Sequence, residues 1–197
     1  MLTAAGLAAV DTVDRFTTFM DLADSELADR PKLEAWRAVV PEIQEVEIPS
    51  TADDTTPPAL FYDSGSDRAK PLLVVMHRWT ADYRQYFSIP YGAWAAANYW
   101  VLIQPDYRGH IDRPEATLSE LAVSDVLDAV RWARRRARVD PGRVYLAGFS
   151  GGAAATLTMV GRYPDMWTAA VAWVPVYDLV EWWRTVREHP DLHYAAN

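Results

Sequence analysis

The pentapeptide Gly148-Phe149-Ser150-Gly151-Gly152 is the tightest constraint on how this chain can fold. It follows Val144-Tyr-Leu-Ala-Gly148, an apolar run too short for a helix that reads as a buried strand. It precedes Ala153, Ala154 and Ala155, small residues that open a helix over Ser150 to Gly161. A strand that turns into a helix within a residue or two leaves no room for bulky neighbours. The glycines two positions either side of Ser150 therefore mark a crowded turn with the serine at its apex. A serine hydroxyl attacks a carbonyl only when it is exposed, near a base and beside donors for the developing oxyanion. This turn supplies the first and third requirements, the third through the helix's N-terminal amides, so Ser150 is the candidate nucleophile.

The rest of the chain alternates strand and helix signals. Residues 8 to 29 place Val10, Val13, Phe16 and Met20 at helical intervals, and Pro31 suits the start of a short helix, Lys32 to Val39. Residues 1–40 are thus expected to be an N-terminal helical segment and 41–197 the main domain. Glu45 to Pro49 and Ala59 to Asp63 read as an edge hairpin, and Leu72 to Met76 as a buried strand. Tyr91 to Tyr99 reads as a helix and Trp100 to Gln104 as another strand, closed by a turn at Asp106-Tyr-Arg-Gly109. Thr117-Leu-Ser-Glu120 has the form of a capping box. Val123, Val126, Leu127 and Val130 continue it as a helix whose C-terminal arginines, Arg131 and Arg134 to Arg136, complement the helix dipole. Asp140-Pro-Gly142 is the turn into Val144, and Thr168 to Val174 is a further strand. This order predicts an α/β fold, a mostly parallel sheet with helices on both faces.

Charge and composition narrow the partners. With 27 acidic and 19 basic residues the net charge is −8, which repels phosphate backbones and anionic lipid, so no nucleic acid and no membrane partner is expected. The chain has no cysteine, which removes thiol nucleophiles, disulfides and thiolate metal sites. Of the four histidines, only His189 and His193 share a ligand-like spacing, and they lie in a Pro-containing tail, so neither metal nor cofactor is expected. The apolar stretch Met1 to Val10 has no basic residue before it and meets Asp11 and Asp14 early. That pattern predicts no signal peptide and a cytoplasmic protein.

Leu72 to Trp183 resembles the catalytic domain of prolyl-oligopeptidase-like α/β hydrolases, a group of peptidases and carboxylesterases. The matching pieces are Val74-Val-Met-His77 with Trp79-Thr80, Pro105-Asp-Tyr-Arg-Gly109, Arg113-Pro-Glu-Ala116, and Val139 through Gly152. The resemblance implies the α/β-hydrolase fold, with a small-molecule ester or short peptide as substrate. It also implies that the main-chain amides of Trp79 and Gly151 form the oxyanion site, although Arg78-Trp79 is bulkier than the glycines many relatives carry there. His77 is expected to brace its loop rather than act as base, because the superfamily's triad runs Ser, Asp, His along the chain. Tyr83, Tyr107, Trp173 and Tyr177 are expected to line the substrate site, where bulky apolar groups would suit them.

The resemblance implies an acid and a histidine on two further strand ends. The expected fold is therefore truncated before its last two strands. Three readings stay open. The chain is a piece of a longer hydrolase whose Asp and His lie beyond Asn197; or a compact hydrolase using His193 with Asp178 or Asp191; or a hydrolase-like binding module without a base. Peptidases of this group often carry an N-terminal propeller, and none is seen in this chain, which favours esterase over peptidase.

Overall fold

The computed structural model of the chain describes residues 32–65, 67–111 and 113–188. They form one six-stranded sheet: β1 (Gln44–Glu47), β2 (Pro58–Tyr62), β3 (Lys70–Met76), β4 (Val101–Pro105), β5 (Val139–Phe149) and β6 (Ala169–Trp173). The spatial order is β1-β2-β4-β3-β5-β6. β1 and β2 form the expected edge hairpin and β2 runs antiparallel to β4, whereas β4, β3, β5 and β6 are mutually parallel. The helices are α1 (Lys32–Val39), α2 (Ile89–Ala97), α3 (Glu120–Arg136), α4 (Gly151–Arg162) and α5 (Leu179–Glu188). The expected helical lead-in at residues 8–29 lies outside the described residues.

Strand periodicity divides the core in two. Leu72, Val74 and Met76 of β3 face one side, where they pack with Ile103 of β4, Val126 and Val130 of α3, and Ala155 and Met159 of α4. Leu73 and Val75 face the other, with Leu102, Ala35, Trp36 and Ala95. Such two-sided burial is what a continuous apolar strand requires, because every second side chain must find a cover on each face.

Helix α1 is part of this core and not an appendage. Trp36 is fully buried in the cluster that holds Leu60 and Tyr62 of β2, and its indole N–H donates to the Arg84 carbonyl at 3.3 Å. Gly92 of α2 makes room for it: a Cβ there would lie 2.4 Å from the Trp36 ring. A boundary at residue 40 therefore does not separate independent packing units among the described residues.

Two local details differ from the sequence reading. Helix α3 begins at Glu120, not Thr117: Ser119 is the N-cap, its hydroxyl accepting from Ala122 N–H at 3.2 Å, and Thr117 instead donates to the Arg113 carbonyl. Leu118, in the left-handed region at φ 54°, sets the turn that makes Ser119 the capping residue. Strand β5 also begins earlier than expected, at Val139, and accommodates the Asp140-Pro-Gly142 turn as a bulge: Lys70 pairs with Val139, but Leu72 pairs with Val144. Asp140 accepts from the Gly142 N–H at 2.9 Å within that bulge.

Trp36→Ala is expected to lower stability by about 3–5 kcal/mol, the usual cost of truncating a fully buried aromatic. Urea unfolding of wild type and variant measures it, and a change under about 1 kcal/mol would mean that α1 is not integral to the core.

Candidate active site

The chain's course through the sheet picks out one crevice. From β3 it leaves toward β4, and from β5 it leaves in the opposite direction toward β6, although β3 and β5 are neighbours. Connections that diverge from adjacent parallel strands leave an open cleft at the strands' C-terminal ends. Ser150 follows β5 there, and the His77–Thr80 loop follows β3.

Ser150 occupies φ 55° and ψ −118°, a conformation an L-residue adopts only under constraint from its surroundings. Its N–H donates to the Trp173 carbonyl at 2.9 Å, and its carbonyl accepts from Ala153 and Ala154, each at 3.0 Å. The serine is thereby fixed by β6 on one side and by the first turn of α4 on the other. Its hydroxyl makes no hydrogen bond among the described residues, and the residue is partly exposed.

The glycines around it are required by close approach, not by backbone dihedrals. A Cβ on Gly148 would lie 2.1 Å from the Gly152 carbonyl oxygen, and one on Gly152 would lie 2.4 Å from the Met76 oxygen and 2.6 Å from the His77 oxygen. A Cβ on Gly151 would meet the Trp79 main-chain nitrogen at 2.6 Å. The start of α4 thus lies directly against the loop after β3, with the Gly151 Cα next to the Trp79 main chain. Neither the Trp79 nor the Gly151 amide has a hydrogen-bond acceptor among the described residues.

The loop that carries Trp79 is held from beneath. His77 is fully buried, with Nε2 2.6 Å from the Asp106 carbonyl and Nδ1 2.9 Å from the Arg78 carbonyl. Its ring stacks on Tyr107 at 4.0 Å, and the Tyr107 hydroxyl donates to the His77 carbonyl at 2.6 Å. Ile111 N–H donates to the Trp79 carbonyl at 2.8 Å. Burial pushes the His77 pKa down, against the opposing pull of the two carbonyls and of Asp106, whose own carboxyl burial pushes up. His77 therefore braces the loop, buried with both ring nitrogens facing main-chain carbonyls.

Arg108, at φ 81° beside Tyr107, ties this support to the rest of the fold. Its guanidinium pairs with Asp53 of the β1–β2 loop at 2.6 Å and with Asp125 of α3 at 2.7 Å. Ser50 joins them, donating to Asp125 at 2.8 Å. Nothing local in the sequence announces this cluster: an arginine in a turn and two aspartates, one on a helix and one in a loop, do not declare contact.

The predicted aromatic lining divides. Tyr107 is 1% exposed and Tyr83 7% exposed, with its hydroxyl donating to Glu45 at 2.9 Å, so both are committed to the interior and do not line an open substrate surface. Trp173 and Tyr177 are 47% and 87% exposed. Asp178 caps α5: its carboxylate accepts from Val180 and Glu181 N–H at 3.0 and 2.9 Å. That helix was missed in the sequence, although Asp178 followed by Leu179, Trp182, Trp183 and Val186 at helical spacing carries its signature. His193, with His189 and Asp191, lies outside the described residues. Among the described residues no cluster of metal-ligating side chains occurs and no helix is long and apolar enough to cross a membrane.

The model of the prolyl oligopeptidase family matches residues 88–194, more than half of the chain. The chain belongs to the prolyl oligopeptidase family. Its fold is that of α/β hydrolases: a thermostable esterase superposes with a TM-score of 0.57 at 18% identity, over 68% of this chain and 41% of that one. The acylaminoacyl peptidase of Pyrococcus horikoshii gives 0.59 at 18% identity, over 74% and 24%. The acetyl xylan esterase of Aspergillus awamori gives 0.56 at 20% identity, over 68% and 52%. This family member therefore spans between about a quarter and half the length of these solved relatives. No curated protein matches at the level of sequence.

Two measurements check this geometry. Gly152→Ala is expected to lower stability by about 1–3 kcal/mol, since the new methyl meets main-chain oxygens that cannot rotate away; urea unfolding reads it. The folded state disfavours charged His77, so the unfolded chain binds the extra proton once pH drops below about 6.5. Stability contributed by neutral His77 is present above that pH and lost as pH falls. Urea midpoints are therefore expected to fall from pH 7.5 to 5.5, with a shallower slope in His77→Gln; equal slopes would contradict a buried neutral His77.

Proposed function

We propose that this protein is a serine hydrolase that cleaves ester or amide bonds through an acyl-enzyme on Ser150, esters being favoured over peptides. The observation that carries the proposal is the strained conformation of Ser150 at φ 55°, at the C-terminal end of β5 and beside two unpaired amides. An unfavourable backbone geometry persists only where its surroundings hold it, and here it lifts one hydroxyl clear of the sheet. Membership of the prolyl oligopeptidase family supports the same chemistry.

In this reading Ser150 Oγ attacks the substrate carbonyl as a general base takes its proton, and the Trp79 and Gly151 amides stabilise the oxyanion. Collapse of the tetrahedral intermediate breaks the ester or amide bond and releases the alcohol or amine with that proton, leaving the acyl group on Ser150. Water then hydrolyses the acyl-enzyme. The close packing of Gly151 on the Trp79 main chain, where an added Cβ would lie 2.6 Å from the Trp79 nitrogen, supports a joint role for the two amides. Trp173, whose carbonyl holds the Ser150 N–H, borders the substrate, and exposed Tyr177 extends that border. Tyr107 acts one step back, by holding His77. The preference for small esters draws support from the esterases among the structural neighbours, named for a thermostable esterase and an acetyl xylan esterase.

A second reading is favoured by one observation: the Ser150 hydroxyl contacts no histidine among the described residues, and His77 is locked to carbonyls. A hydrolase-like binding module would have that arrangement. A fluorophosphonate probe tests the first reading. Covalent labelling that vanishes in Ser150→Ala, with p-nitrophenyl acetate hydrolysis reduced at least about a thousandfold, is the expected result. Absence of labelling in the wild-type protein would count against an active site made by these residues alone, and would leave both the binding module and the piece of a longer hydrolase whose Asp and His lie beyond Asn197.

A further inference from the structure

The loop after β3 carries a cation whose position the fold fixes and whose charge the fold leaves unanswered. The Arg78 main chain is pinned on both sides: its N–H donates to the Gln85 side-chain oxygen at 3.0 Å, and its carbonyl accepts from Ala81 N–H at 3.2 Å. Gln85 is itself buried and held by its amide donating to the Ser88 hydroxyl at 2.6 Å. The Arg78 side chain lies over the Phe87 ring, its guanidinium carbon 5.4 Å from the centroid. Phe87 packs against Phe149 at 4.5 Å, and Phe149 directly precedes Ser150.

Two neighbouring arginines have carboxylate partners, Arg84 with Glu45 and Arg108 with Asp53 and Asp125, and Arg113 donates to the Arg108 carbonyl at 2.8 Å. Among the described residues no carboxylate lies within ion-pair distance of Arg78, and its Nε is buried without an acceptor. A guanidinium offers a planar fork that matches a carboxylate in two parallel hydrogen bonds. An arginine held rigidly by its main chain and by a ring face loses little freedom on making them. At a net charge of −8 the protein's overall field does not draw anions, so recognition of one requires a local, placed cation of this kind.

We propose that Arg78 is a specificity residue that binds a carboxylate on the acyl side of the substrate, selecting acyl groups with an apolar stem against Phe149 and a terminal acid. This rests on Ser150 being the acylated residue, because the Arg78–Phe87–Phe149 stack ends on the residue that directly precedes that serine. The substrate class is then a monoester or monoamide of a short dicarboxylic acid.

The test compares mono-p-nitrophenyl glutarate with p-nitrophenyl butyrate, and measures binding of glutaric acid monoamide against butyramide by calorimetry. Wild type, Arg78→Gln and Arg78→Lys are compared. The expected result is that Arg78→Gln lowers the charged-to-neutral ratio of kcat/KM, and of affinity, by about ten- to a hundredfold, with part of the preference kept by Arg78→Lys. Equal ratios in wild type and Arg78→Gln would overturn the assignment. The calorimetric arm needs no turnover: if Ser150→Ala hydrolyses both esters as well as wild type does, the nucleophile assignment fails, while the glutaric acid monoamide affinities still decide the role of Arg78.

Discussion

The structure depends on one steric fact: the first turn of α4 lies in contact with the end of β3 and the loop beyond it. Side chains are absent from three of the five residues at that junction because main-chain atoms occupy the space they would fill. From this approach follow the strained dihedrals of Ser150 and the contact between Gly151 and the Trp79 main chain. Protein interiors are packed closely enough that such a contact admits few alternatives.

A contact this close must be supported from the other side, and the support is polar. His77 and Tyr107 hold the loop through carbonyls and ring stacking. Arg108 then connects their turn to the β1–β2 loop and to α3 through Asp53 and Asp125. A cluster of this kind, buried at Asp125 and open to solvent at Asp53, contributes little net stability, because desolvation and solvent screening offset much of the attraction, but removing Arg108 strands the buried Asp125. Their effect is to make the positions of three separate segments depend on one another, so that the loop beside Ser150 is held by parts of the chain far from it in sequence.

The fold was legible wherever period and punctuation agreed. Leu72 to Met76 of β3 and Val101 to Ile103 of β4 are apolar runs because both faces of those strands are covered, and the turn at Ser150 declared itself through glycines. Where local signals competed, the sequence misled. Thr117 and Glu120 satisfy the capping-box pattern, yet the left-handed turn at Leu118 hands the cap to Ser119. Tyr83 and Tyr107 share the aromatic character of a binding surface, and nothing in their neighbours distinguishes a ring that lines a cleft from one that plugs a core. Asp178 had the position of a possible acid, but the helix after it uses its carboxylate as a cap.

By itself the sequence determined the alternation of strand and helix, the crowded turn at Ser150 and the exclusion of thiol chemistry, because these follow from local spacing and composition. Only the tertiary structure decided which carbonyls and which ring His77 braces against, that α1 belongs to the core, and that Arg78 stands without a carboxylate partner among the described residues. Each of those depends on which distant groups meet, and burial and pairing are properties of the folded surroundings that no short stretch of residues encodes.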